Sequence, residues 1–158
     1  MDDIDRKILG ILQRDGSCPY AELGNAVGLS ASAINDRLKR LKAKGILKRI
    51  TAEVAPEALD LGSLVFVLVE LGEIKSEPAF VAAMRAAPEV LECHHLAGDY
   101  SYILKVRLGG MPHLERFLGG IKALSGVRRT HSLITLSSVK ETHELNTDIA
   151  VEQGGVNA

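Results

Sequence analysis

Tryptophan is absent from this chain of 158 residues, and its aromatic side chains comprise only three Phe and three Tyr. So few aromatic rings disfavour a surface that stacks unpaired bases, as readers of single-stranded nucleic acid have. The two cysteines, Cys18 and Cys93, lack the spacing of metal ligands, so we expect free thiols in a reducing compartment. Long apolar runs are also missing, because LVFVLVEL at 64–71 is far shorter than the roughly 20 residues that span a bilayer.

The first residues, MDDIDRK, are acidic and are not followed by a long apolar run. A secretory signal needs a basic start and an apolar stretch, so we expect none here. Together with the lack of a membrane-spanning stretch, this predicts a cytoplasmic protein that makes no contact with a membrane.

The net charge of −1 conceals an uneven distribution. Residues 1–50 hold ten Lys or Arg and six Asp or Glu, a charge of +4. Residues 51–158 hold nine and fourteen, a charge of −5. Chance clustering can give so modest a difference, but a basic front and an acidic back favour two modules with different partners.

Apolar side chains recur at helical spacing in three short segments of the basic module. Asp2 or Asp3 can cap the first helix, and the third covers about 30–44. Residues 46–54 then have the character of a short strand, as in a wing or an exit strand. The pattern predicts a winged three-helix unit of the helix-turn-helix type over 1–50.

The third helix has two contrasting faces. Gly28 before it permits a sharp turn, and Ile34, Leu38 and Leu41 share one side of the helix. An apolar back with a polar and basic front suits the major groove of double-stranded DNA. The candidate DNA-binding residues on or beside this front are Ser30, Ser32, Asn35, Asp36, Arg37, Lys39, Arg40 and Lys42.

These side chains predict two kinds of contact with a base or a phosphate. Ser30 and Ser32, at the N-terminal end of the helix, can hold a phosphate or approach a base edge. Asn35 can bond in a bidentate manner to adenine, and Lys39 or Arg40 can reach guanine or the backbone.

The flank of the same helix is expected to position the protein on DNA without reading sequence. Arg37 and Lys42 are expected to meet phosphates. Asp36 either accepts a hydrogen bond from cytosine or pairs with a neighbouring arginine. A solvated, charged helix face is the usual explanation of a basic cluster alone, but the glycine turn and the preceding helices favour DNA binding here.

Gly24 departs from the helix-turn-helix pattern, which commonly has a small alanine at this place. Glycine preserves the close packing of the motif, but it weakens the helix by up to about 1 kcal/mol. We expect the motif to keep its function.

The remainder of the chain alternates strands and helices and predicts an α+β fold. The order is strand, helix, strand, strand, helix, strand, which is the ferredoxin-like βαββαβ pattern. The predicted strands cover 64–71, 90–97, 100–108 and 127–139, and the predicted helices cover 77–87 and 112–124.

Both helices of this pattern lie on one face of the sheet and leave the other face open. Self-association buries such a face, so we expect a homodimer. The polar, glycine-containing tail at 146–158 is expected to fray.

The ordered set of segments resembles the leucine-responsive regulatory protein/AsnC family, the feast/famine regulators, over nearly the whole chain. The segments are DDIDRKILGILQRDG, ELGNAVGLSASAINDRLKRLKAKGIL, PEVLECHHLAGDYSYILKV and GVRRTHSLITLSSVKET. The resemblance implies a nucleoid-associated transcriptional regulator, not an enzyme, whose dimers assemble further, often to octamers. It implies a DNA-binding domain at 1–50, a linker strand at 51–63, an amino-acid-sensing and oligomerising domain at 64–145, and the tail.

The resemblance also implies an effector site for an amino acid, with no cofactor. N–H groups around Gly98 would bind a carboxylate and Asp99 an ammonium group, although Gly-Asp is also an ordinary tight turn. The family usually shows Gly-Asp-Tyr-Asp, whereas Ser101 ends the motif here, so the ligand differs, binds more weakly or is no longer bound. The candidate effector-binding residues are Leu96, Ala97, Gly98, Asp99, Tyr100, Ser101, Thr130 and Ser132.

Two other functions deserve comparison with a regulator. Sirohaem decarboxylases look like this family, and His94 or His95 would then serve as an acid, but the intact basic helix argues against an enzyme. The two histidines are consecutive, so on a strand they point to opposite faces and do not chelate one ion, and we expect no metal. The second alternative is a ligand-binding module that acts through protein partners.

Overall fold

The protein was analysed as a computed structural model, which describes residues 1–147. It consists of two compact units. The first unit contains Met1–Glu53 together with the described residues from Glu141 onward, and the second unit contains Val54–Lys140. Most of the predicted tail at 146–158 lies outside the described residues.

Three helices and a shared apolar core form the first unit. Asp2 caps the first helix with a capping box, because its side chain accepts from Asp5 N while the Asp5 side chain accepts from Asp2 N. Ser30 caps the third helix by accepting from Ala33 N. The helices are α1 (Asp3–Arg14), α2 (Tyr20–Val27) and α3 (Ala31–Ala43), and their core is Ile8, Leu12, Leu23, Ile34, Leu38 and Leu41.

The described C-terminal residues pair with α1. Gln13 Nε2 donates to the Leu145 carbonyl at 2.9 Å, and Leu145 N donates to Gln13 Oε1 at 2.8 Å. The side-chain amide of Gln13 thus bonds both backbone polar groups of Leu145. These bonds hold the described residues around Leu145 in the first unit.

The turn between α2 and α3 is tighter than an alanine allows. Gly28 ends α2 with a φ of 72°, and Leu29 N donates to the Gly24 carbonyl at 2.8 Å. A Cβ atom added at Gly24 would lie 2.3 Å from the backbone oxygen of Leu29. Gly24 therefore preserves the close packing of this turn, as expected from the sequence, and the structure adds that an alanine would clash here.

The predicted strand at 46–54 is not present. These residues form no strand, and the linker that follows contains a 3₁₀ turn at Pro56–Leu59. Ile50 and Val54 are 44% and 56% exposed. The β-branched residues of this segment favour an extended chain, but a strand also needs a hydrogen-bonding neighbour, and no described strand pairs with this segment.

The second unit has the predicted ferredoxin-like fold. The strands are β1 (Ser63–Leu71), β2 (Val90–His95), β3 (Tyr102–Leu108) and β4 (Val127–Ile134), and the helices are α4 (Glu77–Ala86) and α5 (Met111–Lys122). The antiparallel sheet has the order β2-β3-β1-β4, and side chains from both helices pack into one core on one face of this sheet.

The last strand is shorter than the predicted 127–139 because its neighbour ends. Val65 of β1 pairs with Ile134, and Thr135 N donates to the Leu64 carbonyl at 3.0 Å. Since β1 begins at Ser63, the residues after Thr135 pass beyond the end of their partner strand.

The register separates the two faces of the sheet, since residues paired across antiparallel strands share a face. Val67 pairs with Leu104 and with Ser132 on the side that the helices cover. On the opposite side, Phe66 pairs with Lys105 and with Leu133, which is 47% exposed. The predicted open face is therefore present.

We expect Gly24→Ala to lower the free energy of unfolding, because the clash with the backbone oxygen of Leu29 exceeds the helix-propensity gain of up to about 1 kcal/mol. Gly119→Ala is the matched control, since Gly119 lies within α5 and an added Cβ there meets no atom within 4 Å. This control is expected to stabilise its helix. Denaturant unfolding of both variants measures the two signs, and a stabilising Gly24→Ala would contradict the account of the turn.

Candidate functional site

The front of α3 is exposed as the sequence pattern predicts. Asn35 and Arg37 are half-buried, and the other six candidates are exposed. At the helix start, Ser30 Oγ accepts from Ala33 N at 3.3 Å and lies 3.0 Å from Ser32 Oγ. The two hydroxyls are thus held together where the unpaired N–H groups of the first turn are concentrated. The six exposed residues are Ser30, Ser32, Asp36, Lys39, Arg40 and Lys42.

Arg37 turns from this front toward α1. Its Nη1 donates to Asp2 Oδ2 and to Asp5 Oδ1, each at 2.7 Å, and 21% of its side chain is exposed. The hydrogen bond from Arg37 holds the pKa of the Asp2 carboxyl below its ordinary value, and the two carboxylates raise the pKa of Arg37. Arg37 therefore joins α3 to α1, and the predicted contact between Arg37 and a phosphate, which is untested, would have to compete with these two ion pairs.

Arg40 is bonded to Asp5 through one guanidinium nitrogen, and the rest of its side chain is partly exposed. Its Nη2 lies 3.2 Å from Asp5 Oδ1 and 3.3 Å from Asp5 Oδ2, while 49% of its side chain is exposed. Asp36 forms no ion pair with an arginine within residues 1–147. Of the two alternatives for Asp36, a pair with a neighbouring arginine is thus not formed in this state.

The sequence patterns did not identify the acidic pair behind α3. Asp2 and Asp5 were visible only as residues of a helix start, where carboxylates are common. The available signal was two carboxylates three residues apart at the start of α1 and two arginines three residues apart in α3. Side chains at this spacing lie on one face of a helix, so each pair can meet a single partner surface.

The loop at 96–101 is closed and tied to β1. Leu96 N donates to the Ser101 carbonyl at 2.8 Å, and Ser101 N donates to the Val69 carbonyl at 2.9 Å. Ser101 Oγ accepts from Leu71 N at 3.0 Å. The serine that stands in place of the family's aspartate therefore satisfies a backbone donor at the end of β1. Leu96 and Tyr100 are half-buried, and Ala97, Gly98 and Asp99 are exposed.

Tyr100 brings β4 into this site. The guanidinium carbon of Arg129 lies 4.8 Å from the centre of the Tyr100 ring, a cation–π distance, and the His131 ring lies 6.4 Å away. Glu70 accepts from Arg129 Nε at 3.0 Å and lies 3.2 Å from Arg128 Nη1. None of these partners was predicted, because the pairing of Glu70 with Arg129 becomes visible only in the register of β1 and β4.

The two predicted effector residues of β4 lie on the other side of the sheet. Thr130 pairs with Val69 and Ser132 with Val67, so both lie on the face that the helices cover. Arg129 and His131 alternate with them and lie on the open face. Val69 links the two sets, since it pairs with Thr130 and its carbonyl accepts from Ser101.

The consecutive histidines point to opposite faces, as predicted. His94 pairs with Ile103 and its Nε2 lies 3.1 Å from Glu92 Oε2, whereas the ring of His95 stacks on Tyr102 with a centroid distance of 4.9 Å. Within residues 1–147, no group of three His, Cys, Asp or Glu side chains is arranged to hold a metal ion.

Tyr102 links β3 to α4. The Tyr102 hydroxyl donates to the Glu77 carboxylate, and burial, followed by this bond, raises the pKa of Tyr102 to about 12.

Both cysteines are free thiols, and burial raises the pKa of Cys18 and of Cys93. None of the described helices is both long and apolar enough to cross a bilayer.

Comparison with known proteins matches each half of the chain to one family. The model of the AsnC-type helix-turn-helix domain matches residues 1–42, and the model of the Lrp/AsnC ligand binding domain matches residues 64–145. An HTH-type transcriptional regulator of Pyrococcus furiosus is 40% identical, over 92% of this chain and 95% of its own length. The leucine-responsive regulatory protein of Escherichia coli is 35% identical, over 92% of this chain and 90% of its own length.

Solved structures have the same architecture over almost the whole chain. A transcriptional regulator of Neisseria meningitidis in complex with L-methionine has a TM-score of 0.89 at 32% identity, with 94% of this chain and 97% of that chain covered. A feast or famine regulatory protein of Mycobacterium tuberculosis, also complexed with L-methionine, has a TM-score of 0.85 at 32% identity, with 91% and 97% covered. With an exposed basic helix in a helix-turn-helix unit, a ferredoxin-like second unit and both family models matched, the chain belongs to the Lrp/AsnC family of transcriptional regulators.

Proposed function

We propose that this regulator binds specific DNA sequences through α3 and that an amino acid or a similar small metabolite modulates its assembly or its affinity for DNA. The observation that carries the proposal is the exposed front of α3, whose apolar back is buried in the core of the first unit. This front belongs to a domain that matches the family's helix-turn-helix model.

The DNA contacts follow from the exposure of each side chain. Ser30 and Ser32 hold a phosphate at the start of α3, and Asn35, Lys39 and Arg40 contact base edges or the backbone. In a dimer, two copies of α3 enter successive major grooves about 34 Å apart on a roughly palindromic site. Farther along the helix, Lys42 contacts a phosphate, and Asp36 on the front of the helix accepts a hydrogen bond from cytosine.

Self-association uses the open face of the sheet. Phe66 and Leu133 pair on this face, and Leu133 remains 47% exposed in a single chain. A second copy covers such a face with the same residues, because a two-fold interface is self-complementary. We propose a homodimer that assembles further, to an octamer, in the cytoplasm and on the nucleoid.

The proposed effector site consists of the loop at 96–101 with Thr130 and Ser132, which lie on the helix-covered face and are linked to the loop through Val69. Two structural relatives of this chain are complexes with L-methionine, which supports an amino acid as the ligand. The Ser101 hydroxyl already accepts from Leu71 N and carries no charge, so the loop offers the Asp99 carboxylate as its charged acceptor for an ammonium group. We therefore propose weaker binding of amino acids than an aspartate at this position would give.

Lys39→Ala is expected to weaken binding to a duplex selected from a random pool, because the exposed Lys39 side chain faces the groove or a phosphate. A base contact would cost about 1–3 kcal/mol and relax specificity at one position, whereas a phosphate contact would lower the salt slope by about one. Fluorescence anisotropy at several salt concentrations measures both quantities.

Lys122→Ala serves as the matched control for this measurement, since Lys122 is an exposed lysine at the end of α5. It is expected to bind like the unaltered protein. Equal affinities and salt slopes for all three proteins would remove Lys39 from the DNA interface.

Ser101→Asp is expected to strengthen the response of DNA binding to amino acids, because a second carboxylate becomes available to the ammonium group. A hydrogen bond to a charged group contributes about 1.5–3 kcal/mol, so the half-maximal concentration should fall on the order of tenfold or more. Gel shifts titrated with pooled and then single amino acids measure the change. Ser101→Ala, which removes the hydroxyl without adding charge, is the control, and an equal gain in both variants would contradict the assignment.

A further inference from the structure

Asp5 is the one charged or polar residue that is fully buried in the described part of the chain, with an exposed fraction of 2%. Both of its carboxylate oxygens are engaged. Oδ1 accepts hydrogen bonds from Arg37 Nη1 at 2.7 Å and from Arg40 Nη2 at 3.2 Å. Oδ2 accepts from Arg40 Nη2 and from Asp2 N, each at 3.3 Å. A buried carboxylate is costly unless it is paired and hydrogen-bonded, so Asp5 depends on both arginines.

The two arginines lie three residues apart on α3 and therefore share one side of the helix. Arg37 is held on two carboxylates with 21% of its side chain exposed, whereas Arg40 is held on one with 49% exposed. A guanidinium is a rigid, planar fork, so holding Nη2 on the two oxygens of Asp5 restricts where its other nitrogens can lie. Asp5 thus constrains the direction of the exposed end of Arg40.

We infer that Asp5 is a positioning residue for DNA recognition: it keeps Arg37 away from the duplex and orients the guanidinium of Arg40 toward a base edge. The inference rests on the proposed DNA-binding function of α3. An arginine that is already oriented loses less conformational entropy when it binds DNA. The resulting gain in affinity is largest at a site that must be contacted in one fixed geometry. Asp5 therefore raises the affinity for the specific site relative to other DNA.

Two effects of Asp5 on DNA binding have opposite signs, which makes the inference testable. The negative charge repels phosphates and lowers affinity for any duplex. The orientation of Arg40 raises affinity for the specific site. Removing the carboxylate charge should therefore weaken specific binding while leaving non-specific binding unchanged or stronger.

The test compares Asp5→Asn with Asp3→Asn by fluorescence anisotropy on a selected site and on an unrelated duplex of equal length. Asp3 lies in the same turn of α1 and is exposed, so its variant removes the same charge without disturbing Arg37 or Arg40. We expect the ratio of specific to non-specific affinity to fall about tenfold for Asp5→Asn, the size of one lost charged hydrogen bond. The ratio should not change for Asp3→Asn.

Arg40→Lys covers the case in which Asp5→Asn does not fold, as unfolding curves of each variant will show. Lysine keeps the charge but loses the planar fork, so the affinity ratio should fall while non-specific binding is retained. An unchanged ratio in Arg40→Lys, or in folded Asp5→Asn, would overturn the inference. A parallel fall of specific and non-specific affinity in folded Asp5→Asn would also overturn it, since this is the result of a merely structural role. Failure of the unaltered protein to select any site would instead overturn the proposed function, and the inference with it.

Discussion

The ion pairs between the start of α1 and the middle of α3 are the interaction on which the first unit depends. Apolar contacts among Ile8, Leu23, Ile34 and their neighbours hold the helices together, but such contacts have little directional preference. The bonds from Arg37 to Asp2 and Asp5 are directional and join residues far apart in sequence. Because Asp5 is only 2% exposed, losing the arginines would leave a buried carboxylate unpaired, so these bonds fix how α3 is presented.

In the second unit, the register of the sheet likewise brings together charged residues that are far apart in sequence. The pairing of β1 with β4 brings Arg129 to Glu70, and from there its guanidinium reaches Tyr100 in the loop at 96–101. Ser101 fastens the other side of that loop to β1. The loop is therefore held on one side by Arg129 of β4 and on the other by the backbone of β1.

Much of this architecture follows from local patterns. Helical spacing identified all three helices of the first unit, and the order of apolar segments predicted the ferredoxin-like sheet and its open face, because side-chain period reports which face is buried. The prediction of a strand at 46–54 was wrong, because this segment has no strand to pair with in the described chain. The predicted last strand was too long, because β4 ends where its partner β1 ends. The ion pairs of Arg37 also escaped the patterns, since they depend on the contact between α1 and α3. The clash that an alanine would make at Gly24 depends on the exact geometry of the turn at Leu29, which the sequence does not show.

A structure of the protein bound to a duplex selected from a random pool tests the central claim most directly. The account predicts α3 in the major groove, Lys39 and Arg40 within hydrogen-bond distance of bases or phosphates, and Arg37 still bonded to Asp2 and Asp5. A complex in which Arg37 leaves these carboxylates for the DNA, or in which another surface meets the duplex, would contradict it.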